Sequence, residues 1–302
     1  MGRFDGLYAA SISVFDESGR IDYTALEKLV EHYIENRFDG AFMCSSAGEY
    51  FSMSPEKRAA ITKAAVDVAE NKLSVLTGIS EDYIEGVYRN IDAMVKTGAQ
   101  GFMLMPPRFQ VYSQEELITF FSLAADYSPK PVLIYNHMIR LNNKLTVDTV
   151  ETLSRHNNIL GIKDTHNDHT RLVETMERMG AREDFTVFTG GDSLAGLACL
   201  MGGSLLNALS PVAPDLFHAM MAAGRRGDGK EAMRLQMKVN RLMRIFDVVR
   251  ASPKASAASF SQGIKVAMSR YIPCTFALSQ LGVEVTSEEV LRIQQIVEEA
   301  LE

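Results

Sequence analysis

No stretch of this sequence is apolar for long enough to cross a membrane as a helix: about 20 uninterrupted apolar residues are needed, and polar or charged residues break every run well short of that. The segment from Met1 to Asp16 has neither a basic start nor the apolar centre of a secretory leader. A cytoplasmic protein is expected. Cysteine is scarce: Cys44, Cys199 and Cys274 are three in number and far apart, which excludes a disulfide framework and lacks the close ligand pairs of a zinc site. Reduced, mostly buried thiols fit better. Tryptophan is absent, and nothing follows from that. No run of lysine and arginine is dense enough to follow a phosphate backbone, and the formal charge of -7 is spread along the chain, so no nucleic-acid partner is expected. Low-complexity tracts and linkers rich in proline, glycine or serine are missing as well.

What is present is an ordinary globular composition, 46% hydrophobic and 23% charged over 302 residues, with enough apolar surface for a sizeable core. Short β-rich apolar runs alternate with amphipathic stretches of helical length, the pattern of consecutive βα units around a parallel sheet. The runs are 7–15, 40–44, 73–78, 101–105, 131–135, 160–163, 185–189 and 204–209, eight in all. Helices are predicted over 22–36, 54–70, 81–97, 113–127 and 146–156. Ser54-Pro55 is a strong start signal, because the serine oxygen caps free amides and proline loses nothing at the first helical position. Ser113 followed by Glu116 has the form of a capping box. Further helices are predicted over 230–251, 255–270 and 287–301, more than one closing helix needs. The expected fold is a (β/α)8 TIM barrel over residues 1–225 with a C-terminal helical extension over 226–302 packed on the barrel.

In such a barrel the chemistry sits at the carboxyl ends of the strands. The sixth run ends Gly161-Ile162-Lys163-Asp164, and an amine at the mouth of a low-dielectric barrel is costly to keep charged. A neutral amine is the nucleophile that attacks a ketone. The competing reading is a lysine that reaches solvent or pairs with Asp164. The fifth run ends with Tyr135-Asn136, a phenol able to pass protons, or simply an aromatic plug. The second is followed by Ser45-Ser46-Ala47-Gly48-Glu49, a turn whose amides suit a carboxylate, or an ordinary βα loop. Thr189-Gly190-Gly191-Asp192 and Gly202-Gly203 flank the last two runs, where a phosphate site or plain close packing is possible. His166, Asp168 and His169 lie close in sequence, but a solvated turn explains them better than a metal, and no metal is expected.

Taken in this order, these motifs resemble the pyruvate-dependent class I aldolase superfamily that contains dihydrodipicolinate synthase, N-acetylneuraminate lyase and the 2-keto-3-deoxy-sugar-acid aldolases. The resemblance spans nearly the whole chain. It implies that Lys163 is the imine-forming lysine, that Tyr135 relays protons beside it and that Ser46 links to this tyrosine. The amides of Ser46 and Ala47 would hold the 2-oxo acid carboxylate, and Glu49 would anchor the loop. Arg140, Gly190 and Asn207 would contact substrate. No cofactor is implied beyond the covalent imine, and a homotetramer built as a dimer of dimers is expected.

The sequence also departs from the family pattern. Ala47 stands where a second hydroxyl residue is usual, Met138 replaces a proline after Tyr135-Asn136, and Pro107-Arg108-Phe109 lacks an aromatic pair, with Tyr112 nearby. Leu141-Asn142 follows Arg140 in place of threonine-glycine. Asp164 after the lysine is more like the sugar-acid aldolases, so cleavage or formation of a C–C bond between pyruvate and the aldehyde part of a 2-keto-3-deoxy sugar acid is the expected reaction. Synthase, neuraminate-lyase and dehydratase activities of the same superfamily stay open, as do a phosphate-handling barrel and a ligand-binding barrel without catalysis.

Overall fold

The computed structural model describes residues 4–250 and 256–302. Eight strands close into a parallel barrel in sequence order: β1 (Leu7–Ala10), β2 (Gly40–Met43), β3 (Ser74–Gly78), β4 (Gly101–Leu104), β5 (Val132–His137), β6 (Ile159–Thr165), β7 (Thr186–Thr189) and β8 (Ser204–Asn207), with β8 pairing back to β1. Helices α1 (Tyr23–Glu35), α2 (Pro55–Ala69), α3 (Ile84–Val95), α4 (Gln114–Tyr127), α5 (Val147–Leu153), α6 (His169–Met179), α7 (Ala195–Leu200) and α8 (Pro214–Arg225) follow the strands in turn. Such a right-handed strand-helix repeat rings the outer face of a closed sheet with helices, and the strand side chains fill its interior. None of the described helices is long and apolar enough to cross a membrane.

The local signals account for several boundaries. Ser54 accepts a hydrogen bond from the Lys57 amide with Pro55 at the first turn of α2, and Ser113 and Glu116 form the reciprocal capping box at the start of α4. Gly98 sits at φ 86 where the chain leaves α3, a left-handed position that glycine fills without strain. Other boundaries differ from the sequence reading. The first strand stops at Ala10, not Phe15; past it Asp16 folds the chain into a turn by accepting from the amides of Ser18 and Arg20, and Phe15 bridges Ile21 antiparallel. Strands β5 and β6 run two residues further than expected, to His137 and Thr165.

Past α8 the chain forms α9 (Gly229–Leu242), a 3-10 turn (Met243–Asp247), a π turn (Ala258–Gln262), α10 (Gly263–Met268) and α11 (Ser287–Leu301). The predicted helix ends Ala251 and Ala255 lie outside the described residues. Leu235, Val239 and Leu242 of α9, Ile264 and Val266 of α10, and Ile293 and Ile296 of α11 belong to the same buried apolar cluster as the barrel strands. The extension thus adds to the core of the barrel, burying apolar area that would otherwise face water. The thiols of Cys44 and Cys199 are buried and unbridged, and burial pushes both up to about 12. They are inert side chains of the core.

Candidate active site

Strand alternation decides which side chains enter the barrel. Lys163 on β6 pairs with Tyr135 on β5 and Phe188 on β7, so the three share one phase. The Tyr8 ring of β1 meets Phe188 at 4.9 Å, and the Phe42 ring of β2 meets Tyr135 at 6.0 Å. These contacts join strands that are not neighbours, which only interior side chains can do. Lys163 is 3% exposed, with Nζ 4.3 Å from the Tyr135 ring centroid and 5.5 Å from that of Phe42.

Asp164, one residue on, has the opposite phase and faces the helix layer. Its carboxylate accepts from His166 Nδ1 at 2.7 Å and from Arg171 Nε at 2.8 Å. Burial would raise this carboxyl, but His166 and Arg171 outweigh that and hold it below its ordinary value. The alternative of a Lys163–Asp164 pair therefore falls, and the amine is left facing the barrel mouth.

The Tyr135 hydroxyl shares a hydrogen bond of 2.9 Å with Ser46 Oγ. Burial would raise the phenol, yet the charge of Lys163 and the Ser46 hydrogen bond hold it below its usual range. A phenol biased in this way both gives up and recovers a proton more readily than one in an apolar core.

The loop carrying Ser46 is held by its backbone. Cys44 and Glu49 both take left-handed conformations, at φ 51 and 62, so the turn between them is tight. Ser45 Oγ donates to the Ser11 carbonyl and accepts from the amides of Ala47 at 3.1 Å and Gly48 at 3.2 Å. The Ala47 amide, expected to meet a carboxylate, is thus engaged inside the turn. A ligand must share or displace that bond.

A cavity of about 170 Å³ opens over this end of the barrel, lined by His137, Arg140, Thr165, Gly190, Asp192 and, further out, Asn167, Gly191, Met138, Ile139, Met243, Phe246 and Phe260. Gly190 belongs there for a steric reason: a Cβ on it would fall against Thr165 Oγ1 and 2.8 Å from Lys163 Cε. Arg140 lies with its guanidinium 5.3 Å from the Phe260 ring centroid. His137 is pulled down to about 3 by burial, then by the charges of Arg140 and Lys163, so its ring is neutral. Asp192 is pushed up to about 7 by burial, against a hydrogen bond from the Leu209 amide and the charge of Lys163.

One expectation needs correction, and one open alternative narrows to close packing. Asn207 pairs with Ala9, one residue out of phase with the interior Tyr8, so its side chain faces the helix layer and does not line the cavity. Gly202 and Gly203 enter β8 at its amino end, the face opposite the site, and a Cβ on Gly203 would lie 3.1 Å from the Ala198 carbonyl. These two glycines serve turn and packing, not a phosphate. Asp168 caps α6 by accepting from the Thr170 and Arg171 amides. Sequence reasoning missed Thr165, Met243, Phe246 and Phe260. Thr165 was readable as the residue two beyond the lysine on the same strand face; the other three come from the extension, whose placement over the barrel no local pattern announces.

The model of the Dihydrodipicolinate synthetase family matches residues 3–275. The chain belongs to that family. A 4-hydroxy-tetrahydrodipicolinate synthase of Acidiphilium cryptum is 29% identical over 263 residues, 86% of this chain and 88% of that protein. A DapA-like lyase of Thermofilum pendens is 29% identical over 254 residues, 83% of this chain and 84% of its own. Among solved structures, YagE, a prophage protein of the dihydrodipicolinic acid synthase family from E. coli K12 in complex with pyruvate, superposes with a TM-score of 0.90 at 24% identity, covering 98% of both chains. The 4-hydroxy-tetrahydrodipicolinate synthase of Methylacidiphilum fumariolicum SolV superposes with a TM-score of 0.86 at 25% identity over 98% of this chain and 97% of that one.

Proposed function

We propose that Lys163 forms an imine with C2 of pyruvate and that the protein makes or breaks the C–C bond between pyruvate C3 and an aldehyde carbon. The observation that carries this reading is the buried Lys163 amine beside Tyr135, whose hydroxyl is bonded to Ser46. In cleavage, the Lys163 amine, once it has given up its proton, adds to the C2 carbonyl and water leaves to give an iminium. Tyr135 takes the proton from the C4 hydroxyl, the C3–C4 electron pair moves into the iminium as an enamine, and the aldehyde departs. Protonation at C3 and addition of water then release pyruvate and the free amine. Splitting one hard step into easier covalent ones is how such an amine accelerates the reaction. The reaction so written needs neither metal nor organic cofactor.

Ser46 holds the Tyr135 hydroxyl and serves as the next link for its proton. Backbone amides of the Ser46–Ala47 turn are the reading for the pyruvate carboxylate, and Arg140 is the reading for an anionic group on the partner. The likeness to YagE, which was solved with pyruvate, supports the choice of 2-oxo acid. The sugar-acid expectation rested on Asp164, whose carboxylate faces α6 and is held by His166 and Arg171; it lends that substrate no contact. A tetramer is proposed from the family resemblance, and the exposed Phe109 and Val111 beside Tyr112 suit burial against another copy.

The test is exchange of the pyruvate methyl protons in deuterium oxide, followed by proton NMR. Imine and enamine formation makes them exchange at a rate proportional to protein, and Lys163→Ala removes that rate. Undiminished exchange with Lys163→Ala sinks the assignment.

A further inference from the structure

We infer that the aldehyde half of the site takes an apolar acceptor, one bearing an aryl or branched alkyl group where a sugar-derived partner carries hydroxyls. The inference rests on the pyruvate reading above and adds the class of its partner.

The cavity is polar at one end and apolar at the other. At the Lys163 end stand Thr165 and Asp192, next to the reacting carbons. Away from it the apolar walls are Met138, Ile139, Met243, Phe246 and Phe260, with Arg140 and Asn167 set among them. Phe246 and Phe260 stack on each other with centroids 4.9 Å apart and an interplanar angle of 23°, and Phe260 also faces the Arg140 guanidinium. Three polar atoms of the lining are occupied within the protein, and the Arg140 guanidinium is not one of them. His137 Nδ1 accepts from the Ile139 amide, Asn167 Oδ1 accepts from Ser193 Oγ, and Asp192 Oδ1 accepts from the Leu209 amide.

A hydroxyl laid on the stacked Phe246 and Phe260 rings finds no hydrogen-bond partner in those two side chains. An apolar pocket rejects a single added hydroxyl only weakly, by about a hundredfold at most. The one oxygen that must be accommodated is that of the reacting carbonyl, which becomes the C4 hydroxyl, and it lies at the polar end. A chain of further hydroxyls would run outward along Met243, Phe246 and Phe260. A flat aryl group there instead finds an aromatic pair of matching chemistry.

The experiment measures pyruvate consumption by the full chain with a panel of aldehydes, benzaldehyde, cyclohexanecarbaldehyde and 3-methylbutanal against D- and L-glyceraldehyde and erythrose, alongside methyl-proton exchange of pyruvate alone. The expected result is pyruvate exchange together with kcat/KM at least tenfold higher for one or more of the apolar aldehydes than for any hydroxylated one. Met243→Asn, which adds a carboxamide to the outer wall, is expected to narrow that ratio. Pyruvate exchange with equal or better use of the hydroxylated aldehydes overturns this inference and leaves the imine reading standing. Exchange with no turnover of the apolar set overturns it as well. Loss of exchange itself removes the pyruvate reading and this inference with it.

Discussion

Lys265 Nζ lies 2.7 Å from Glu49 Oε1, with both side chains almost completely shielded from solvent. The lysine belongs to α10 of the extension, and the glutamate closes the turn that carries Ser46. The same amine donates to the Ala277 carbonyl at 2.5 Å, and the second carboxylate oxygen accepts from the Ser279 amide at 2.6 Å. Burial pulls the Lys265 amine down from its ordinary value, and Glu49 opposes that. Removing one partner strands the other charge in the core, which costs about 3–5 kcal/mol. Lys265→Met is expected to lose stability on that scale in urea, and the Glu49→Gln/Lys265→Met double variant to recover part of it. A single variant as stable as the parent contradicts this role.

The Ser46–Tyr135 bond predicts an ordered pair of losses. Tyr135→Phe removes the proton carrier and is expected to lower kcat by about a hundredfold or more. Ser46→Ala leaves the phenol in place without its partner, so a smaller fall in kcat is expected, with the alkaline limb of the pH–rate profile moved upward because the bond that lowers the phenol is gone. Steady-state kinetics across pH read both. Equal losses with unchanged pH profiles contradict a relay.

Gly190→Ala would place a methyl group against Thr165 Oγ1 and 2.8 Å from Lys163 Cε. Gly190 is buried just past the end of β7, where Thr165 and Lys163 crowd it. Imine formation with pyruvate is expected to fall at least tenfold while the circular dichroism of the barrel is kept. Wild-type imine formation in this variant shows that Lys163 has more room than the structure gives it.

Asp192 sets a pH dependence of stability. Its carboxyl titrates near 3.8 when unfolded and near 7 when buried in the folded chain. Below the lower value both states are protonated, and the shift has no effect. Between the two, the folded state holds the extra proton, so stability falls as pH rises, and above about 7 the full cost remains. Asp192→Asn removes this dependence. The difference in unfolding free energy between variant and parent, read from urea titrations, is expected to grow in favour of the variant from about pH 4 to about pH 8, toward a few kcal/mol. A difference that is constant or shrinks over that range contradicts the assignment.

Much of this was readable before the structure. Eight apolar runs of strand length and their capping signals gave the barrel, because period and cap chemistry are local properties. Lys163, Tyr135 and Ser46 were singled out because each stands near the carboxyl end of an apolar run, the end that faces the barrel mouth. Asn207 misled for the same reason: closeness to a strand end does not fix phase, and one residue of register turns a side chain from the interior to the helices. The first strand was overrun because the Asp16 turn hides behind the apolar Ile12, Val14 and Phe15. Met243, Phe246 and Phe260 were invisible as site residues, since the sequence marks them as core and only the docking of the extension brings them to the cavity.

The central claim is the imine on Lys163, and the most direct measurement is borohydride reduction in the presence of pyruvate followed by peptide mass spectrometry across residues 161–171. A pyruvate-derived mass fixed on Lys163, and absent without pyruvate, is the predicted result. A folded protein that gains no such adduct, or carries it on another lysine, contradicts the account.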